Sequence, residues 1–204
     1  MMSTTERGYA DETLSYYDEH AQEFSDATVD ISFDHMYKPF EDRLAPGASI
    51  LDLGCGSGRD SLHFIERGYR VTSTDGSAEL CQRASKLLGR KVRCELFGEL
   101  EDQDAYDGIW ACSSILHVPK AGLADVFARM RRALHAHGII YTSFKEGDFE
   151  GMRHGRYFTN FTEASLRDFL QGVDGLVIDT LWHTFDARPE RGSETWLNVL
   201  LTRS

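Results

Sequence analysis

The stretch LDLGCGSGRD, residues 51–60, decides the fold. Gly54, Gly56 and Gly58 fall within five positions, directly behind apolar residues. Glycine loses more conformational freedom on folding than any other residue. Three together mark a turn where the backbone bends sharply or is closely approached. SILDL (49–53), ahead of them, has the character of a short buried strand. DSLHFIERG (60–68), behind them, reads as a helix. Asp60 stands in its first turn, where the helix dipole favours negative charge, and Gly68 is a natural stop.

This strand–turn–helix unit opens an alternating series. YRVTSTD (69–75) reads as the second strand and SAELCQRASKLLG (77–89) as a helix, with Ser77 as N-cap and Gly89 as terminator. KVRCELF (91–97) and YDGIWACS (106–113) read as further strands. KAGLADVFARMRRALHAHG (120–138) is a helix by the spacing of Leu123, Val126, Phe127, Met130 and Leu134, and GIIYTSF (138–144) is a fifth strand. The glycine-rich, aromatic segment 145–161 reads as a long loop. A helix over 162–172, capped by Thr162, then precedes two strand-like runs, 176–185 and 194–203, that form an antiparallel hairpin. Helices over 11–25 and about 33–44 come before the first strand. Strands alternating with helices mean an α/β domain with a mostly parallel sheet. Ligands of such sheets bind beyond the C-terminal strand ends, where the glycine turn lies.

The 204 residues suit one domain, and 41% hydrophobic content supplies a core. The formal net charge of −11 speaks against a nucleic-acid partner, which needs a basic face. Cys55, Cys81, Cys94 and Cys112 form no C-x-x-C pair and read as reduced thiols. The polar N-terminus and the lack of a long apolar run predict a cytoplasmic protein that spans no membrane. His135 and His137 end a helix and predict no metal site.

Two cofactor classes compete for the turn. A dinucleotide fingerprint is G-x-G-x-x-G, and its third glycine would fall at 59, which is Arg. Asp52, two residues before the first glycine, would repel a pyrophosphate and suits a cationic ligand. S-adenosylmethionine carries an ammonium, a sulfonium and no phosphate. Asp75, at the end of the second strand, is placed to accept both ribose hydroxyls, a device that dinucleotide enzymes share.

ILDLGCGSGRD (50–60) resembles motif I of the class I S-adenosylmethionine-dependent methyltransferases. VTSTDGS (71–77) resembles their motif II, YDGIWACSSILHVP (106–119) the segment around their fourth strand, and MRRALHAHGIIYTSF (130–144) the following helix and strand. The subgroup that looks nearest is the small bacterial tellurite-resistance and ubiquinone-biosynthesis type. The resemblance implies a Rossmann-like, seven-stranded, mostly parallel sheet with helices on both faces. Its last strand lies antiparallel in a C-terminal hairpin. One domain then spans 1–204, with 1–48 a helical lid and 49–204 the core.

The resemblance also implies roles. Gly54, Cys55, Gly56, Ser57 and Gly58 lie against the methionine and ribose of the cofactor. Asp52 orients the ammonium, Asp75 takes the ribose hydroxyls, and Gly76 and Ser77 flank the adenine. Glu99 or Leu100 contacts the adenine amino group. Cys112 and Ser113 lie under the methionine portion. Arg59, a cation unfavourable to the dipole at a helix start, reads either as a cover for that start or as the partner of the methionine carboxylate. A tyrosine of the first helix, Tyr16 or Tyr17, closes over the cofactor. His117 is the candidate general base.

Loop 145–161 gathers Arg153, His154, Arg156, Tyr157 and Phe158 and would hold an aromatic or anionic acceptor. Arg156 and Tyr157 are the expected contacts. The expected activity is methyl transfer to a small molecule by a monomer or homodimer, with no metal. A tRNA-modifying methyltransferase and a non-catalytic cofactor-binding module are the alternatives.

Overall fold

The computed structural model describes residues 4–29, 31, 33–186, 192 and 194–204, and of residues 4–7 the backbone only. Helices α1 (Thr4–Glu19), α2 (Ala21–Thr28) and α3 (Asp34–Glu41) come first. The core then runs β1 (Ser49–Leu53), α4 (Arg59–Glu66), β2 (Arg70–Asp75), α5 (Ala78–Leu88), β3 (Arg93–Cys94), β4 (Tyr106–Ala111), α6 (Lys120–Ala133) and β5 (Leu134–Lys145). A hairpin of β6 (Glu150–Arg153) and β7 (Arg156–Thr159) follows, then α7 (Glu163–Gln171), β8 (Leu176–Phe185) and β9 (Thr195–Arg203).

The main sheet has seven strands in the order β3-β2-β1-β4-β5-β9-β8. The first five are mutually parallel, and β9 runs antiparallel to both β5 and β8. The chain works outward from β1 to β3, then returns to place β4 on the other side of β1. That reversal opens a crevice beyond the C-terminal ends of β1 and β4. No helix among the described residues is long and apolar enough to cross a membrane.

Strand alternation sorts the core into two layers. Leu51, Leu53, Ile109 and Ala111 join Leu123, Phe127 and Met130 of α6 and Leu166 and Leu170 of α7. Ile50, Val71, Trp110 and Tyr141 join Met36, Tyr37 and Phe40 of α3 and Phe64 of α4 on the opposite face. Covering both faces is what a parallel sheet requires.

Several boundaries differ from the sequence reading. The helix expected over 11–25 is two helices, broken at His20, whose φ and ψ of −109° and 16° leave the helical region. The third strand shrinks to two residues, because the chain turns into a short 3-10 helix at Phe97–Glu99. The helix expected to reach 138 ends at Ala133. Leu134 already pairs with Tyr106, and the register shifts before Ile139 meets Gly108. His137 absorbs that bulge at φ 63°.

Segment 145–161, expected as a loop, holds the β6–β7 hairpin. Its two-residue turn, His154-Gly155, has φ of 51° and 75°. Two left-handed residues are what a twisted two-residue hairpin demands.

Ser77 caps α5 as expected, accepting from Leu80 N at 3.1 Å. Its hydroxyl also donates to Asp18 of α1 at 2.5 Å, so one side chain fixes a core helix and the N-terminal layer. Ser77→Ala should therefore cost about 1–2 kcal/mol, read as a lower urea midpoint with an unchanged slope.

Candidate functional site

The three motif glycines occupy left-handed conformations, with φ of 83°, 53° and 87° at Gly54, Gly56 and Gly58. Each is also crowded. A Cβ at Gly54 would lie 2.5 Å from Ser114 Cβ, and one at Gly56 would lie 3.0 Å from the Phe24 ring. One at Gly58 would lie 3.1 Å from Ala84 Cβ. The turn is thus pressed between the segment after β4, the N-terminal layer and α5. Gly54 N and Cys55 N both donate to Thr74 O, which ties it to the end of β2.

Asp75 completes that tie. Its carboxylate accepts from Gly56 N at 2.8 Å and from Ser77 N at 2.9 Å, one bond to each oxygen. Burial pushes its pKa up, and the Ser77 and Gly56 amides push back. Each oxygen keeps acceptor capacity, and Asp75 lines a cavity of about 480 Å³ at the crevice.

Gly54, Cys55, Gly56, Ser57, Gly76 and Arg59 also line that cavity. So do Cys112, Ser113, Tyr17, His117 and Arg156. Six expected residues lie outside the lining. Asp52, 2% exposed, faces away from it and accepts from Ser61 Oγ at 2.6 Å. Burial and the neighbouring Asp60 hold its carboxyl well above the ordinary range. Gly58 and Ser77 act in the turn and the cap. Glu99 folds back to accept from Leu96 N, and Leu100 is buried in the core. The wall in that quarter is Glu95, Leu96, Phe97 and Gly98, one turn earlier in the chain. Tyr157, 6% exposed, packs at 4.8 Å on Tyr9, donates its hydroxyl to Glu150 and its N–H to Thr13 Oγ1. It anchors the hairpin to α1.

Asp60 lies at the cavity wall, where the sequence signalled only a helix start. It accepts from Arg59 Nε at 2.6 Å, Tyr37 Oη at 2.7 Å and Trp110 Nε1 at 2.8 Å. The Arg59 guanidinium also sits 3.9 Å from the Phe33 ring centroid. Its charge is thereby largely compensated. Lys145 is paired with Glu194. Arg156 differs. Its guanidinium lies 4.4 Å from the Tyr16 ring, its buried Nε has no hydrogen-bond partner, and it forms no ion pair among the described residues.

His117 joins three elements. Its Nδ1 lies 2.6 Å from Tyr157 O and its Nε2 2.8 Å from Tyr17 Oη. A carbonyl only accepts, so Nδ1 carries the proton and the Tyr17 hydroxyl donates to Nε2. Burial, then the charges of Arg156 and Lys145, lower the imidazole pKa to about 4. At neutral pH His117 is uncharged.

The far end of the cavity is built from the C-terminal strands. Tyr141 stacks on Trp110 at 4.0 Å and donates to Asn198 Oδ1 at 2.8 Å. Asn198 and Trp196 line the same end. A polar Asn inside the apolar run WLNVLL was the one sequence sign of this wall.

A family model described as a methyltransferase domain matches residues 50–138. The putative methyltransferase YqeM of Bacillus subtilis is 28% identical over 124 residues, 55% of this chain and 50% of that protein. Malonyl-(acyl-carrier protein) O-methyltransferase of Salmonella typhimurium is 31% identical over 112 residues, 52% of this chain and 43% of that protein. The chain thus spans about half the length of the curated relatives it matches. Burkholderia thailandensis 1,6-didemethyltoxoflavin-N1-methyltransferase, solved with 1,6-didemethyltoxoflavin and S-adenosylhomocysteine, superposes with a TM-score of 0.82. It is 23% identical and covered at 92% by the whole of this chain. Residues 50–138 thus match a methyltransferase domain, and the whole chain shares the fold of the S-adenosylhomocysteine-bound methyltransferase. The cofactor of these methyltransferases, S-adenosylmethionine, fits the residues present. Asp75 offers free acceptor positions beside the glycine turn, and Arg156, with its buried Nε unpaired, lines the same cavity.

The low His117 pKa has a stability consequence. Above pH 6.5 the imidazole is neutral in folded and unfolded chains alike. As pH falls from 6.5 towards 4, only the unfolded chain takes up the proton, so stability is lost across that window. His117→Asn should remove up to about 3 kcal/mol of that loss, seen in urea midpoints between about pH 7 and 4.

Proposed function

We propose that this chain transfers the methyl group of S-adenosylmethionine to a small anionic or aromatic molecule. The carrying observation is Arg156, a half-buried guanidinium over the Tyr16 and Tyr17 rings at the cavity wall, whose Nε is buried without a hydrogen-bond partner and which forms no ion pair among the described residues. A guanidinium presents two parallel donors that match a carboxylate. The solved relative that binds 1,6-didemethyltoxoflavin supports a small planar acceptor.

The cofactor supplies an electrophilic methyl group on a sulfonium. The chain supplies position. Asp75 would hold the ribose hydroxyls, and the 54–58 turn would border the methionine portion. Leu96 and Phe97 take the adenine side. Tyr17, Phe24 and Phe33 close the cavity from the N-terminal helices and exclude water. Arg156 would hold the anionic group of the acceptor and so fix its orientation in the cavity.

His117 Nε2 then receives a proton through the Tyr17 hydroxyl. An imidazole with a pKa near 4 does not ionise a phenol. It does accept a proton from a nitrogen or oxygen made strongly acidic by methylation.

Two variants separate the ends of the cavity. Asp75→Ala should weaken S-adenosylhomocysteine binding roughly ten- to hundredfold, because hydrogen bonds to a charged acceptor are worth about 1.5–3 kcal/mol. Arg156→Ala should raise KM for an acceptor found by screening and leave that affinity nearly unchanged. Loss of both affinities together in Arg156→Ala would contradict an acceptor role.

We also propose that residues 1–48 act as a lid. Leu14, Tyr17 and Phe24 line the cavity from α1 and α2. Amide exchange over residues 11–40 should slow on adding S-adenosylhomocysteine; equal exchange would exclude a lid.

A further inference from the structure

Cys81 and Cys94 are thirteen positions apart and carry no motif, yet the fold brings both sulfurs to one point. Cys81 Sγ, on the buried face of α5, donates to Asp75 O at 3.3 Å and approaches Arg93 O at 3.7 Å. Cys94, at the end of β3, pairs in register with Asp75, and its Sγ lies 3.8 Å from Gly76 O. Cys94 lies near enough to Cys81 to raise the pKa of its thiol. Cys81 is 6% exposed, whereas Cys94 is open to solvent. The carbonyls that receive the two thiols belong to consecutive residues, and both residues line the cavity.

We propose that Cys81 and Cys94 form a thiol pair that a small disulfide oxidant converts to a disulfide, and that this closure lowers cofactor affinity. The effect on affinity rests on the reading that Asp75 and Gly76 border the cofactor.

The chemistry balances with oxidised glutathione as oxidant. The Cys94 thiolate attacks one glutathione sulfur, and a glutathione thiolate leaves and takes a proton. The Cys81 thiol then gives up its proton and attacks the Cys94 sulfur, which releases the second glutathione. Two cysteines are oxidised and one glutathione disulfide is reduced to two thiols. Burial, Asp75 and Cys94 hold the Cys81 thiol well above its ordinary range, so this second step is the slow one.

An S–S bond of about 2.05 Å draws both sulfurs off the Asp75 and Gly76 carbonyls. Leu14 and Leu96 pack directly against Gly76, so a shift of its backbone is passed on to the cavity wall. The strain falls on the carboxylate that holds the glycine turn.

The test treats the full chain with oxidised glutathione, alkylates the remaining thiols after unfolding, and maps the products by mass. S-adenosylhomocysteine affinity is measured on the same samples. The expected result is a Cys81–Cys94 bridge, an affinity about tenfold weaker, and reversal by dithiothreitol. Cys94→Ser should form no bridge and keep its affinity under oxidant. A persistent glutathione adduct on Cys94, a bridge to Cys55, or a bridge without change in affinity would overturn the proposal. A reduced chain that binds no S-adenosylhomocysteine would refute the cofactor reading before any oxidant is added, and the mass map would still decide whether the pair forms.

Discussion

One carboxylate ties this structure together. Asp75 ends β2, and its two oxygens accept the Gly56 amide of the motif turn and the Ser77 amide that opens α5. Two βα turns are thereby locked side by side at the C-terminal ends of the neighbouring strands β1 and β2. The cost is burial of an acid, offset by two backbone donors aimed at the charged form. The glycines follow from the same constraint. Side chains at these three positions would run into Ser114, Phe24 and Ala84.

The second organising contact is the chain Tyr17–His117–Tyr157 carbonyl. It links α1, the segment after β4 and the β6–β7 hairpin, three pieces distant in sequence. A neutral imidazole is what permits it, since Nδ1 must donate and Nε2 must accept. The nearby charges of Arg156 and Lys145 favour that neutral form. Docking of the N-terminal layer and the protonation state of His117 are therefore one problem.

The motif segments made the α/β architecture, the strand order's crevice and the position of Asp75 legible, because each depends on local chemistry that the chain displays. Ser77, Gly89 and Thr162 cap helices where their residue types prescribe. Tertiary contacts were not legible. Asp52 and Asp60 are both acids beside the glycines, yet only packing against Tyr37 and Trp110 brings Asp60 to the cavity and leaves Asp52 behind the turn. The wall at 95–98 shifted because a two-residue strand ends sooner than its apolar run. The hairpin escaped notice because His154-Gly155 fills a turn usually marked by Asn-Gly. Tyr157 and Arg156 are neighbours on one strand, so alternation sends one inward to α1 and the other to the cavity.

The central claim is that Asp75 and the glycine turn hold an adenosyl cofactor while Arg156 faces the acceptor end. A crystal structure of the chain with S-adenosylhomocysteine tests it most directly. The account predicts both ribose hydroxyls within hydrogen-bond distance of the Asp75 oxygens, adenine against Leu96 and Phe97, and the sulfur turned towards Tyr17 and Arg156. Ribose bound elsewhere, or a cofactor carboxylate seated on the Arg156 guanidinium, would contradict it.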